Sequence, residues 1–132
     1  MILVVLSFYS YAAGPLLYKI KHCYDGDTCR IKTHDGPWFN VRLFGIDAQE
    51  MPNKRYKLKG QPLAVSARDA LNKKIKGKQV SLKQADLDHY NRPIVEIYFE
   101  NRNINLEMVS EGWAEAYKGK TKRISMKPYF DA

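Results

Sequence analysis

"CYDGDTCR", residues 23–30, sets two carboxylates one glycine apart and brackets them with the chain's only two cysteines. Asp-Gly is a hairpin dipeptide, because glycine supplies the backbone conformation that two-residue turns need. A second acid directly after it is more than a turn requires. Residues 16–24 alternate loosely and read as one strand, and Thr28 to Thr33 reads as its return. The hairpin therefore carries an extra acid at its tip. Whether that tip is a solvated turn with a staple or one half of a metal site depends on the rest of the chain.

Working outward, "HDGP" at 34–37 is a second turn, and "WFNVRLFGI" at 38–46 a third strand rich in β-branched and aromatic residues. The three strands make a meander. "DAQEMPNKRYKLKGQ", 47–61, has no periodicity and reads as a long basic loop. Pro62 opens a helix, with Leu63, Ala67, Leu71 and Ile75 as its buried stripe and Gly77 as its stop. "KQVSLKQA" at 78–85 is a fourth strand, "DLDHYN" at 86–91 a polar loop and "RPIVEIYF" at 92–99 a fifth strand. A second helix follows at 103–111 and ends at Gly112. "TKRISMKPYFDA" reads as the beginning of a further helix, cut short at the chain end. Strands with helices inserted late give an α+β class built on a small sheet or barrel.

At 132 residues the chain is one domain. Its 22 Lys and Arg against 14 Asp and Glu give a net charge of +8, which suits an anionic partner, nucleic acid or membrane surface. The signs are separated. Between Met51 and Lys83 there are ten Lys or Arg against Asp69 alone, and "YKGKTKR" at 117–123 is a second basic run. Acids gather around 25–50 and 86–115. No basic amphipathic helix favours the membrane reading.

The first fifteen residues, "MILVVLSFYSYAAGP", form an apolar run of signal-peptide length, with Ser10 and Ala12 at −3 and −1 of a cleavage before Ala13. The run is too short for a stable membrane anchor. Its alternative is a buried first strand. The expectation is a leader over 1–12, a mature domain over 13–132 and a secreted or periplasmic protein. Export would place Cys23 and Cys29, on opposite arms of the hairpin, in an oxidising compartment where a disulfide forms. His22, His34 and His89 form no ligand spacing with one another or with cysteine, so zinc is not expected.

Four segments hold the chemistry-bearing residues: "DGDT" at 25–28, "VRLFGIDAQE" at 41–50, "DHYNR" at 88–92 and the glycine-ended helix before Tyr117. In that order and spacing they resemble the staphylococcal nuclease (thermonuclease-like) family over about residues 16–117. The resemblance implies a five-stranded OB-like barrel packed with helices, Ca²⁺ as cofactor, and DNA and RNA as substrates. It implies Asp27, Asp47 and the carbonyl of Ala48 as metal ligands, and Glu50 as the general base on water. Arg42 and Arg92 would grip the phosphate. Tyr90 and His89 would contact substrate, and Tyr117 would fill the base-stacking position. Asp25 is read as shaping the turn.

Departures from the family pattern stand out: Gln49 replaces a proline, His89 a lysine and Asn91 a glycine, and the full helix with which the family usually finishes is expected to be truncated here. The leading expectation is a Ca²⁺-dependent, sugar-nonspecific nuclease, monomeric and without an obligate protein partner. The alternative is a catalytically weak or inactive nucleic-acid-binding module on the same OB-like barrel.

Overall fold

The structure, a computed structural model, describes residues 16–49, 62–117 and 125–132. Four sequence expectations fall outside them wholly or mainly: the leader at 1–12, Glu50, the basic loop through residue 61 and the basic run after Tyr117.

Strands β1 (Tyr18–Cys23), β2 (Thr28–Lys32) and β3 (Phe39–Leu43) form the expected meander. A short strand β4 (Ile46–Ala48) leads toward helix α1 (Ala64–Ile75), followed by β5 (Gln79–Leu87) and β6 (Pro93–Phe99). A two-residue β7 (Arg102–Asn103), helix α2 (Ile104–Ser110), β8 (Ala114–Ala116) and the one-turn helix α3 (Lys127–Asp131) complete the order. The sheet runs β3-β2-β1-β5-β6-β7, and a parallel β3–β6 pairing closes its five long strands into the expected barrel. Closure removes the exposed edges that a five-stranded open sheet would present. Strands β4 and β8 form a separate antiparallel ribbon.

The alternation of the strands accounts for the interior. Ile20, Ile31, Val41, Leu43, Val80, Val95 and Ile97 are all 0–1% exposed and meet inside the barrel. Helix α1 covers one end through Ala64, Ala67, Leu71 and Ile75. The expected stripe began one residue earlier, at Leu63. That residue instead adopts a left-handed turn, φ 69°, and is 57% exposed, so the helix starts at Ala64 and not at Pro62.

The expected single strand over 38–46 is broken in two. Its break is Gly45, whose φ of +81° is one that L side chains resist. A Cβ there would also lie 2.8 Å from the ring of Tyr129. Tyr129, 1% exposed, belongs to α3 and packs edge-on against Phe44 at 5.6 Å between centroids. A five-residue helix has no stability of its own. This one is held by its tyrosine, whose hydroxyl donates to the buried carboxylate of Glu96. Glu96 also accepts from Tyr98 and Asn103, both at 3.2 Å. At the other boundaries, β5 runs through Asp86 and Leu87, which were expected in the loop, after a register shift between Gln84 and Asp86. Helix α2 is capped by Asn103, which accepts from the Leu106 amide at 3.1 Å.

Two asparagines, one half-buried and one fully buried, tie the layers together. Asn72 of α1 accepts from the Cys23 amide at 2.7 Å and donates to the Cys23 carbonyl at 3.0 Å, pinning the helix to the end of β1. Asn105 of α2, 0% exposed, accepts from Ile97 N–H at 3.0 Å and donates to the carbonyls of Phe44 (2.8 Å) and Val95 (3.0 Å). It bridges β6 to the turn after β3. Replacing it strands buried backbone groups, at a cost of about 1–3 kcal/mol each. Asn105→Ala is therefore expected to lower the stability by about 3 kcal/mol or more. Urea unfolding at constant m-value checks this, and a shift in midpoint equivalent to under about 1 kcal/mol would contradict it.

Candidate active site

The hairpin tip sits where three segments meet. Gly26 is buried so closely that a Cβ would lie 2.6 Å from the Cβ of Ala48 and 3.1 Å from that of Ala67. The turn is thus wedged between β4 and α1, and only glycine fits the wedge. Asp25 Oδ1 accepts from the Asp27 amide at 2.9 Å, an Asx turn that shapes the tip as expected. Cys23 and Cys29 are opposite residues of β1 and β2, both buried, with a disulfide joining them and Cα atoms 3.9 Å apart.

Asp27 is 3% exposed, a depth at which an ionised carboxylate needs full compensation. It has three donors. Arg42 Nη1 reaches Oδ1 at 2.8 Å, the Thr28 hydroxyl donates to the same oxygen at 3.1 Å, and the Ala48 amide donates to Oδ2 at 2.9 Å. Strand register explains the first, because Arg42 is the cross-strand partner of Thr28. Arg42 extends its other nitrogen, Nη2, toward the Ile46 carbonyl at 3.3 Å and Asp47 Oδ1 at 3.7 Å. Burial works against the charged guanidinium, but the carboxylates of Asp27, Asp47 and Asp25 outweigh it and raise the arginine's pKa. Asp47 itself is exposed, opposite Glu115 on the β4–β8 ribbon.

A second unit lies in the β5–β6 connection. Asp88 Oδ1 accepts from the amides of Tyr90 and Arg92, both at 2.9 Å, and Oδ2 pairs with Arg92 Nε at 2.7 Å. Asn91 takes φ 61°, which asparagine tolerates. Burial alone would raise the Asp88 carboxyl, yet the Arg92 side chain and the loop amides hold it below its ordinary value. Tyr90, 72% exposed, lies under the Arg92 guanidinium at 5.9 Å and against the His89 ring at 4.1 Å. The parallel register places Arg42 beside Ile94, two residues after Arg92, so both arginines come to neighbouring strands. Arg92 is held by Asp88 and not by the Asp27–Arg42–Asp47 cluster.

Tyr117 follows β8 and donates its amide to the Gly45 carbonyl at 2.7 Å, which sets it beside the turn between Arg42 and Asp47. Its side chain is partly exposed. The structure therefore gathers Asp27, Arg42, Asp47 and Ala48 into direct contact, and holds Tyr90, His89 and Arg92 as one loop unit. Thr28, Asn72 and Asp88 were given no role in the sequence reading. Of these, Asp88 had a local signal, its i,i+4 spacing to Arg92. The Asn72 contact spans 49 residues and leaves none.

Asp27 and Asp47, two carboxylates converging on one cationic side chain, are hard oxygen donors of the kind Ca²⁺ takes. Among the described residues no three His, Cys, Asp or Glu side chains cluster to hold a metal unaided. Water and phosphate oxygens would have to complete a calcium shell.

The family description "Staphylococcal nuclease homologue" matches residues 40–131. An "Uncharacterized endonuclease" of Haemophilus influenzae is 36% identical over 94 residues, covering 71% of this chain and 48% of the relative. The "Probable staphylococcal-like nuclease CAN3" of Oryza sativa subsp. japonica is 33% identical over 106 residues, covering 80% and 24%. The "Probable endonuclease LCL3" of Verticillium alfalfae is 33% identical over 90 residues, covering 65% and 31%. The chain thus spans half or less of these relatives' lengths. With the family match, the closed barrel and the acid–arginine cluster together, the chain belongs to the staphylococcal nuclease homologue family.

Proposed function

We propose that this protein is a Ca²⁺-dependent nuclease that hydrolyses phosphodiester bonds of DNA and RNA, exported to an oxidising compartment. The observation that carries the reading is the contact of Arg42 with two carboxylates from separate segments, Asp27 at 2.8 Å and Asp47 at 3.7 Å. A module that only bound nucleic acid would keep the arginines. It would have no use for acids beside them, which repel phosphate.

In this reading Asp27, Asp47 and the carbonyl of Ala48 would hold a calcium ion, which when bound would neutralise charge on the phosphoryl oxygens. Arg42 and Arg92 present planar forks to the equatorial oxygens, where charge is concentrated during displacement. Asp88 fixes the angle of Arg92 before substrate arrives, so the fork costs little ordering on binding. Glu50 takes the proton of the attacking water. Tyr90 and Tyr117 offer a hydroxyl and a ring to the strand, contacts that do not read base edges, and substrate choice is correspondingly broad.

The decisive assay is cleavage of single-stranded DNA by the purified protein with Ca²⁺ or with excess chelator. Glu50→Gln is expected to lose turnover by at least about a hundredfold while keeping strand binding in Ca²⁺. Asp27→Ala is expected to lose both turnover and metal-enhanced binding. Salt-sensitive binding without cleavage by the parent would instead favour the binding-module reading.

Asp88→Asn isolates the loop unit. Because the Asp88 carboxyl titrates below its ordinary value in the fold, its stabilisation is fully present above about pH 4 and is lost as pH falls through the lowered value. The variant is expected to be about 2 kcal/mol less stable than the parent at neutral pH. The two should converge as pH falls through that lowered value, as followed by thermal unfolding across the acid range. A gap that persists undiminished at the lowest pH would remove the Asp88–Arg92 pair as its cause.

A further inference from the structure

The outer face of the β1–β2–β3 meander carries a ladder of cations. Opposite residues of an antiparallel pair project from the same face, as do residues two apart on one strand. Thr28 opposes Arg42, Arg30 opposes Asn40 and His22, and Lys32 opposes Lys19. One face therefore runs from Arg42, in the candidate site, through Arg30 to Lys32 and Lys19. Four residues of strand separate Thr28 from Lys32, about 13 Å. The register shift between Ile20 and His22 adds Lys21, which is exposed, to the same side.

These charges are gathered, not dispersed. The ammonium groups of Lys21 and Lys32 lie 5.4 and 5.1 Å from the centroid of one ring, Trp38, so a single aromatic holds two like charges close together. Lys19 and Lys32 face each other directly, an arrangement that destabilises a sheet. Asn40 accepts from Arg30 at 3.1 Å and fixes its direction. Among the described residues none of Lys19, Lys21, Arg30 and Lys32 has a carboxylate partner. The nearby acid of the 34–36 turn, Asp35, pairs with His34 at 3.8 Å. His22 registers the field: burial, then Lys21, Lys76 and Arg30, push its pKa below the ordinary value. Beside the ladder lies an open depression of about 270 Å³ lined by Lys19, Lys32, Thr33, His34 and Gln79.

We infer that this face is a track for the phosphate backbone of a single nucleic-acid strand, continuing from the phosphate held at Arg42 outward over Arg30, Lys32, Lys21 and Lys19. The inference rests on the nuclease reading for its starting point, and extends it to flanking nucleotides. Its occupant follows from charge complementarity and from continuity with Arg42. A polyanion relieves the repulsion between facing lysines, which otherwise costs stability without return.

The test is binding of a fluorescent single-stranded 12-mer in chelator between 50 and 200 mM salt, for the parent and for Lys19→Gln/Lys21→Gln/Lys32→Gln. Each phosphate contact on a single strand contributes a slope of about 0.7 in log K against log salt. The triple variant is expected to flatten the slope by about 2 and to weaken binding about tenfold at 50 mM salt. A dinucleotide, too short to reach Lys32 from Arg42, should bind parent and variant alike. A cooperative melt confirms the fold, and Lys32→Gln alone, flattening the slope by about 0.7, serves if the triple variant misfolds.

If the parent binds the strand in chelator and cuts it once Ca²⁺ is supplied, while the variant keeps its slope, the track is wrong and the nuclease reading stands. If the parent neither binds nor cuts, both fall. Binding of the parent to phosphatidylserine vesicles that the variant loses, with strand binding retained, would assign the face to a membrane surface and overturn the track.

Discussion

A carboxylate buried to 3% exposure cannot stay ionised without partners, and the partners of Asp27 organise everything around it. Its oxygens are taken by a guanidinium from β3, an amide from β4 and the hydroxyl of the next residue. The first two come from segments that the barrel must bring to the hairpin tip. Removing Arg42 would leave a buried charge exposed to no solvent, which costs more than the pair ever contributed. The Asp27–Arg42 bond is therefore both a structural bolt and the centre of the candidate site. That dual use explains why a turn needing only Asp-Gly carries a second acid.

The bolt works only if the turn joining Arg42 to Asp47 holds still, and the fold restrains that turn from three sides. The Asn105 side-chain amide donates to the Phe44 carbonyl, the Tyr117 backbone amide donates to the Gly45 carbonyl, and the Tyr129 ring fills the space a side chain at Gly45 would need. Tyr129 is in turn anchored by Glu96 on β6. The parallel β3–β6 pairing closes the loop, since it brings the strand of Glu96 beside the strand of Arg42. Barrel closure, buried polar bonds and site geometry are thus one mechanical system.

What the sequence disclosed and what it hid follow from range. The hairpin, the meander and the Asp88–Arg92 loop are written in contiguous residues, whose turn chemistry and alternation are local. So are the acids and arginines, legible because their spacing resembles a known family. The restraints are not local. Asn72 reaches across 49 residues, Asn105 across 61 and Tyr129 across 33, and each looks unremarkable in its own segment. The break in the third strand was hidden for the same reason. "LFGI" reads as strand until Tyr129, far along the chain, claims the space above Gly45. Leu63 misled in the opposite direction: its four-residue spacing to Ala67 is perfect, but the left-handed turn before α1 throws it outward.

Arg42 stands at the boundary between the acids of the site and the cations of the outer face, and only arginine can serve both. The guanidinium has five donors fixed in a plane. Nη1 faces Asp27 and Nη2 faces the Ile46 carbonyl, which leaves donors in the same plane that these contacts do not use. A lysine would offer one compact charge, and satisfying Asp27 would withdraw it from any incoming phosphate. Because the fork is held from behind by a buried carboxylate, its remaining edge is aimed before a ligand arrives. Because the adjoining strand face is cationic, the field at that edge favours an anion. The cations of the meander face and the acids of the site, drawn from neighbouring strands, meet at this one side chain.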